Sequence, residues 1–118
     1  MLLINTNFNP FRMKLSHKEP VELTIDLINK GEKPKMLTMN LKLSAQLSLE
    51  KTGYKTEVME RIPVLRTGEK KEFFYKIFPK AGTRTQEQPI IIEVLEHFND
   101  YKFVANQHKK KLGLLVED

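Results

Sequence analysis

Every odd position from residue 37 to residue 49 is apolar: Leu37, Met39, Leu41, Leu43, Ala45, Leu47 and Leu49. The even positions, Thr38, Asn40, Lys42, Ser44, Gln46 and Ser48, are polar. A period of two reads as β-strand with one buried face, because a helix would scatter those leucines around its circumference. One face of the sheet therefore lies on a core and the other in water. A straight strand from Met36 to Glu50 would exceed ~40 Å, well beyond the usual length. A bend, a bulge or a change of sheet is expected near Ser44 to Gln46.

The same reading finds further strands. Val21, Leu23, Ile25 and Leu27 alternate with Glu22, Thr24 and Asp26. Leu2 to Phe8 forms a first strand that could continue to Leu15. Lys55 to Val64 is another, with Pro63 marking an edge or an end. Lys70 to Phe78 places Phe73, Tyr75 and Ile77 on one face and Phe74 and Phe78 on the other. Pro89 to Phe98 holds the most apolar stretch and reads as central, with Ile91 and Leu95 opposing Ile90, Ile92 and Val94. Tyr101 to Val104 and Lys111 to Val116 close the set, with a helical turn or a loop over Ala105 to Lys111. Turn-forming residues punctuate the chain at Asn9-Pro10, Glu19-Pro20, Asn29 to Pro34, Thr52-Gly53, Arg66 to Glu69, Pro79-Lys80-Ala81-Gly82 and Asn99-Asp100. Such regular spacing belongs to a sandwich or barrel. The expectation is an all-β fold, an antiparallel two-sheet immunoglobulin-like sandwich of seven to nine strands, with residues 1–118 as one domain.

Two segments carry a resemblance. Val21 to Gly31 is a strand running into an Asn-x-Gly turn, and Val64 to Glu69 is a turn feeding the Phe73/Tyr75/Ile77 strand. This pairing resembles the Ig-like modules of CARDB-type adhesion-related domains. It also resembles the C-terminal Ig-like domains of transglutaminases, where Leu41 to Gln46 followed by Thr52-Gly53-Tyr54 is similar to a stretch those domains carry. The resemblance covers roughly residues 15 to 98. It implies a non-catalytic spacer or interaction surface, since the catalytic Cys of transglutaminases belongs to another domain.

Composition narrows the chemistry. The chain has no Cys, which removes disulfides, thiolate nucleophiles and Cys-based metal sites. Three His are scant material for a nitrogen-ligated metal. No cofactor and no small-molecule substrate is indicated. The net charge is +5, which suits ordinary lysine-rich surface and also permits an anionic partner. Abundant Lys and Glu with no Cys or Trp are compatible with a thermophilic source. No run approaches the ~20 apolar residues of a membrane span. The start, Met1-Leu2-Leu3-Ile4-Asn5, has no basic region and too short an apolar run for a signal peptide. A cytoplasmic location is expected.

Three functional readings follow. The first is a protein-interaction or structural module, with self-association or a protein partner through an apolar face containing Phe74, Phe78, Ile91 and Leu95. The second is a basic nucleic-acid-binding β domain, using Lys109, Lys110 and Lys111 with Tyr101 and Phe103 as stacking platforms. Lys30, Lys33, Lys35, Lys70 and Lys71 would add to the patch if they share one end of the sandwich. An enzyme is third. The densest polar cluster, Glu93, Glu96, His97 and Asp100, reads as a solvated face beside a hairpin turn, with Glu93 and His97 on one side and Glu96 on the other. His17 and His108 read as surface residues. There is no Gly-rich phosphate loop and no Gly-x-Ser-x-Gly elbow.

Overall fold

The computed structural model describes every residue except Lys18 and Ala81. Lys18 beside His17, and Ala81 within the expected Pro79 to Gly82 turn, thus lie outside the described residues. The strands are β1 (Leu2–Asn9), β2 (Arg12–Lys14), β3 (Val21–Asn29), β4 (Lys35–Leu43), β5 (Leu47–Ser48), β6 (Glu57–Leu65), β7 (Lys70–Pro79), β8 (Glu87–Phe98) and β9 (Asp100–Glu117). They form two sheets, ordered β1-β3-β7-β5 and β2-β9-β8-β4-β6. All pairings are antiparallel except β2 with β9. The result is an immunoglobulin-like β-sandwich, as the alternation predicts.

Each sheet is organised around strands with a clean one-sided pattern. In β3, Val21, Leu23, Ile25, Leu27 and Asn29 are buried while the residues between them stay partly open. In β4 and β8, Leu37, Met39, Leu41, Ile90, Ile92 and Val94 are fully enclosed. These two sets, with Phe73 and Ile77 from β7, make one continuous core between the sheets. Parallel alternation in two facing sheets is what a sandwich core requires.

The long alternation of residues 37 to 49 does change sheets where expected. β4 ends at Leu43, and β5 joins the other sheet through Leu47↔Pro79 and Ser48↔Phe78. Ser44 builds the corner. Its Oγ donates to Gln88 Oε1 (2.9 Å) and accepts from the Gln46 N–H (3.3 Å), while its carbonyl takes the Leu47 N–H (3.2 Å). Ala45 is exposed at this corner although the pattern assigns it to the core. The chain then returns to the second sheet as β6, an edge strand that carries Pro63 where no further ladder is needed.

The ends of the chain depart from expectation. The first strand does not run on to Leu15. It breaks at Asn9-Pro10, and β2 crosses to the second sheet beside Leu115–Glu117, burying Met13. The larger difference is at the C-terminus. Neither a helical turn nor a loop occupies Ala105 to Lys111, because β8 offers an unbroken ladder and β9 pairs with it from Asp100 to Leu115. That tertiary partner overrides weak local strand propensity. A register shift at Glu96 to Phe98 and Asn99 at φ 66° shape the tip of this hairpin.

Asn29 ties together the two turns beside that tip. It is fully buried, and its Nδ2 donates to the Lys33 (2.8 Å) and Leu65 (2.9 Å) carbonyls. Its Oδ1 accepts the Gly31 N–H (2.9 Å), and its own carbonyl takes the N–H of Gly68 (2.7 Å), whose φ of 79° suits glycine. Asn29→Ala should cost about 1–3 kcal/mol by leaving buried partners unpaired. Leu41→Ala, at a fully enclosed site, should cost about 2–5 kcal/mol. Phe74→Ala, at a site 58% exposed, should stay within about 1 kcal/mol. Urea denaturation of the three variants measures all of these, and a loss at Phe74 as large as at Leu41 would contradict the assigned faces.

Candidate functional site: the free flank of the last strand

β9 is the longest strand, and its two flanks are unlike. One pairs with β8 along nearly its whole length. The other meets β2 only at Leu115, Val116 and Glu117. From Asp100 to Gly113 no described strand lies beyond it. In an antiparallel ladder every second residue turns its N–H and C=O away from its partner, so this stretch presents a row of unpaired backbone groups. Opposite it, across the open side of the sandwich, runs the equally unflanked β1. Lys110 spans the gap and donates from Nζ to the Ile4 carbonyl (3.2 Å).

The tip of the β8–β9 hairpin is aromatic and held in place. The His97 Nδ1–H donates to the Phe103 carbonyl (3.2 Å), which leaves Nε2 to accept from the Thr38 hydroxyl (2.8 Å). The Tyr101 ring meets His97 edge-on at 5.1 Å, and the Arg61 guanidinium lies 4.6 Å above that ring. Beyond this anchor, Phe98, Phe103 and Val104 are more than half exposed. Rings held at this level of exposure are contact material for a partner.

Beneath the tip, Glu96 faces inward. Its carboxylate accepts from Lys35 Nζ (2.6 Å) and from His108 Nε2, linking β4, β8 and β9. Burial pushes the Glu96 carboxyl up, but the hydrogen bonds and charges of His108 and Lys35 outweigh it and hold the group below its ordinary range. Deeper between the sheets, burial and then the charge of Glu60 push the Tyr75 phenol above its usual range. Among the described residues the Tyr75 hydroxyl has no hydrogen-bond partner.

The structure separates most residues that the sequence groups together. Phe74 and Phe78 lie on β7 and Ile91 and Leu95 on β8, so they belong to different sheets. Phe74 points outward beside Thr24, and Ile91 and Leu95 sit in register between Lys42 and Lys111 and between Thr38 and Gln107. The four therefore form no common face. They are the outward residues of two sheets that pack back to back. Phe78 is half-buried in a hollow with Leu15, Pro79 and Lys80.

The basic run is split in the same way. Strand alternation puts Lys109 and Lys111 on the outer face and turns Lys110 inward toward Ile4. Phe103 is exposed at the tip, whereas Tyr101 is engaged by Arg61 and His97. His17 is exposed as expected, but His108 is partly buried on the inner side of β9, where it pairs with Glu96. Glu96 likewise leaves the solvated face assigned to its cluster. Counting back by twos from the buried Val116 and Leu114 places Leu112, Lys110 and His108 on the inner face, the one signal that would have revealed this. Lys30, Lys33, Lys35, Lys70 and Lys71 do gather at the hairpin end of the sandwich, with Lys35 paired to Glu96 and Lys70 to Glu72.

Among the described residues a hydroxyl meets an imidazole at Thr38–His97 and a carboxylate meets one at Glu96–His108, but the two pairs lie on opposite faces of the sheet. An apolar cleft of about 380 Å³ is lined by Pro10, Phe11, Arg12, Lys14, His17, Glu19, Val21 and Glu117. It holds no Ser, Thr or Cys, and Arg12 is engaged with Glu117 (3.5 Å) and the Phe11 ring. Among the described residues no three His, Asp or Glu side chains converge on a metal position, and no helix is long and apolar enough to cross a membrane.

No protein-family model matches the chain, and no curated protein sequence matches it. Solved structures do match in fold. A FixG-related protein from Vibrio parahaemolyticus superposes with a TM-score of 0.52 at 11% identity, covering 98% of this chain and 95% of that one. The putative ApaA protein from Bordetella pertussis gives 0.53 at 12%, covering 98% and 92%. Self-complemented MyfA, the major subunit of Myf fimbriae from Yersinia enterocolitica, gives 0.53 at 12%, covering 100% and 99%. At such identities the likeness defines the fold class, an Ig-like β-sandwich spanning the chain. CARDB and transglutaminase domains are not specifically singled out.

The Glu96 cluster has a pH signature. Its folded-state pKa is lowered, so the stability it contributes is complete above the ordinary carboxylate value of 4.5 and is lost as pH falls through the lowered one. Denaturation midpoints measured from neutral pH downward should fall over that acidic window. Glu96→Gln should remove about 1 kcal/mol at neutral pH and flatten that part of the profile. An unchanged profile in the variant would show that Glu96 carries no pH-linked stability.

Proposed function

We propose that this chain is a non-catalytic interaction module whose working surface is the free flank of β9 and its aromatic tip. One observation carries the reading: one flank of the longest strand meets no described strand from Asp100 to Gly113, with Phe98, Phe103 and Val104 exposed at its end. Unpaired edge backbone beside exposed rings is material for association. The hydroxyls of the β4–β5 region serve structure. The buried hydroxyl of Ser48 donates to the Lys55 carbonyl (3.2 Å), and Ser44 is committed to the β4–β5 corner. One of the similar structures is the major subunit of Myf fimbriae, and this fits self-association or a protein partner here.

A second reading, nucleic-acid binding, draws on Lys102, Arg61 and the exposed Phe103 at the tip. The interleaving of Lys109 to Lys111 between two faces weakens it, since no single groove collects their charge.

A photo-crosslinking residue at Phe103 in the full chain should yield a defined protein adduct in cells of the source organism, whereas the same residue at exposed Phe11, at the other end of the sandwich, should not. Equal adducts at both positions, or none at Phe103, would overturn the reading. In parallel, labelled single-stranded DNA should not bind even at low salt. Binding with a steep salt slope, lost in Lys102→Ala, would transfer the assignment to the second reading.

A further inference from the structure

The open strand edge is chemically biased. Between Asp100 and Gly113 stand Lys102, Lys109, Lys110 and Lys111, and Asp100 is the lone acid. Lys102, Lys109 and Lys111 make no ion pair among the described residues. Glu93, the register partner of Lys109 on β8, is bonded instead by Gln107 Nε2 (2.8 Å) and, at 3.5 Å, by Asn40 Nδ2. Lys14 on β2 extends the bias just beyond the point where β2 takes over the edge.

The other edges suit such a role less: the flank of β7 from Lys70 to Ile77, which β5 covers only at Phe78 and Pro79, mixes Glu72 with its lysines. β6 carries Pro63, and β5 spans two residues. On β1, the Ile4 carbonyl is already taken by Lys110. Partly buried Leu112, Ile4 and Phe8 fringe the gap between the two sheets, so the inward side chains of an added strand would meet apolar surface there.

Lysines on an edge repel strands of like charge, including a second copy of the same edge, and they favour a strand of opposite charge. We infer that the Asp100–Gly113 edge of β9 accepts an extended acidic segment of a partner protein as an added β-strand. Backbone bonds supply affinity and alternate side chains supply specificity. The register follows from the pleat: acidic residues two positions apart lie opposite Lys109 and Lys111 on the outer face, and the residue between them faces inward and is small or apolar. This rests on the interaction reading above and deepens it, and the two fail separately. Crosslinking at Phe103 reports the tip, whereas strand addition reports the flank.

The test is fluorescence anisotropy with a labelled synthetic peptide of alternating Glu and Val, added to the full chain at low salt. Binding should be seen, and it should weaken at least about tenfold in Lys109→Glu/Lys111→Glu. It should weaken comparably when every second peptide nitrogen is methylated, because that removes the ladder while keeping the charge. Lys42→Glu, on the outer face of β4 away from the edge, should stay within about twofold. An alternating Lys and Val peptide should not bind. Equal affinity for the methylated peptide would reduce the effect to charge alone and overturn the proposal. Failure of the Glu and Val peptide to bind would overturn it directly, and concentration-dependent dimers of the free chain lost in Lys109→Glu/Lys111→Glu would assign the edge to a second copy instead.

Discussion

The structure depends on burying one face of β3 against one face of β4 and β8. Their inward residues are fully enclosed, and few apolar side chains elsewhere are buried as completely. Since a side-chain period of two leaves no freedom to slip by one residue without exposing a whole row of leucines, those strands fix the register of both sheets. β7 and β1 follow β3, and β6 and β9 follow β4 and β8. The corner at Ser44, the crossing at Asn9-Pro10 and the Asn29 hub are the places where the connecting chain is made to obey that register.

A sandwich closed only by its core leaves edges, and this one treats them differently. Proline interrupts β6, brevity limits β5 and a lysine bond takes one carbonyl of β1, while the outer flank of β7 from Lys70 to Ile77 mixes both signs of charge. β9 has no such block over Asp100–Gly113, yet it carries the heaviest run of positive charge in the chain. Charge on an edge is a filter more than a seal, because it admits strands of one sign and discourages the other. The interaction proposed here would combine backbone geometry with electrostatic selection, in keeping with a fold that hosts many functions and dictates none.

The tip of the hairpin that bears this edge is tied to the body by polar contacts, while its base packs into the core. Glu96 joins three strands through Lys35 and His108, and His97 fastens the tip through Thr38 and the Phe103 carbonyl. Partly exposed ionic and hydrogen-bonded anchors hold geometry while contributing modest stability, which suits an element that must stand out from the core with its rings in solvent.

Much of this was legible from residue order. The alternation at Val21–Leu27 and Leu37–Leu41 specified strands, their buried faces and the two-sheet class, because burial in a sheet is written in a local period of two. Even the break near Ser44 followed from length alone. The free flank was not legible. Residues 105 to 111 are polar and weakly patterned, and only the ladder offered by β8 makes them strand. The apolar residues Phe74, Phe78, Ile91 and Leu95 looked like one face because a sequence shows which side a residue takes, but not which sheet its strand joins. Local periodicity thus determined the elements and their inner faces, whereas sheet membership, the inward turn of Lys110, His108 and Glu96, and the unpaired edge were decided by tertiary pairing, since strand neighbours far apart in sequence are chosen by the packing of the whole chain.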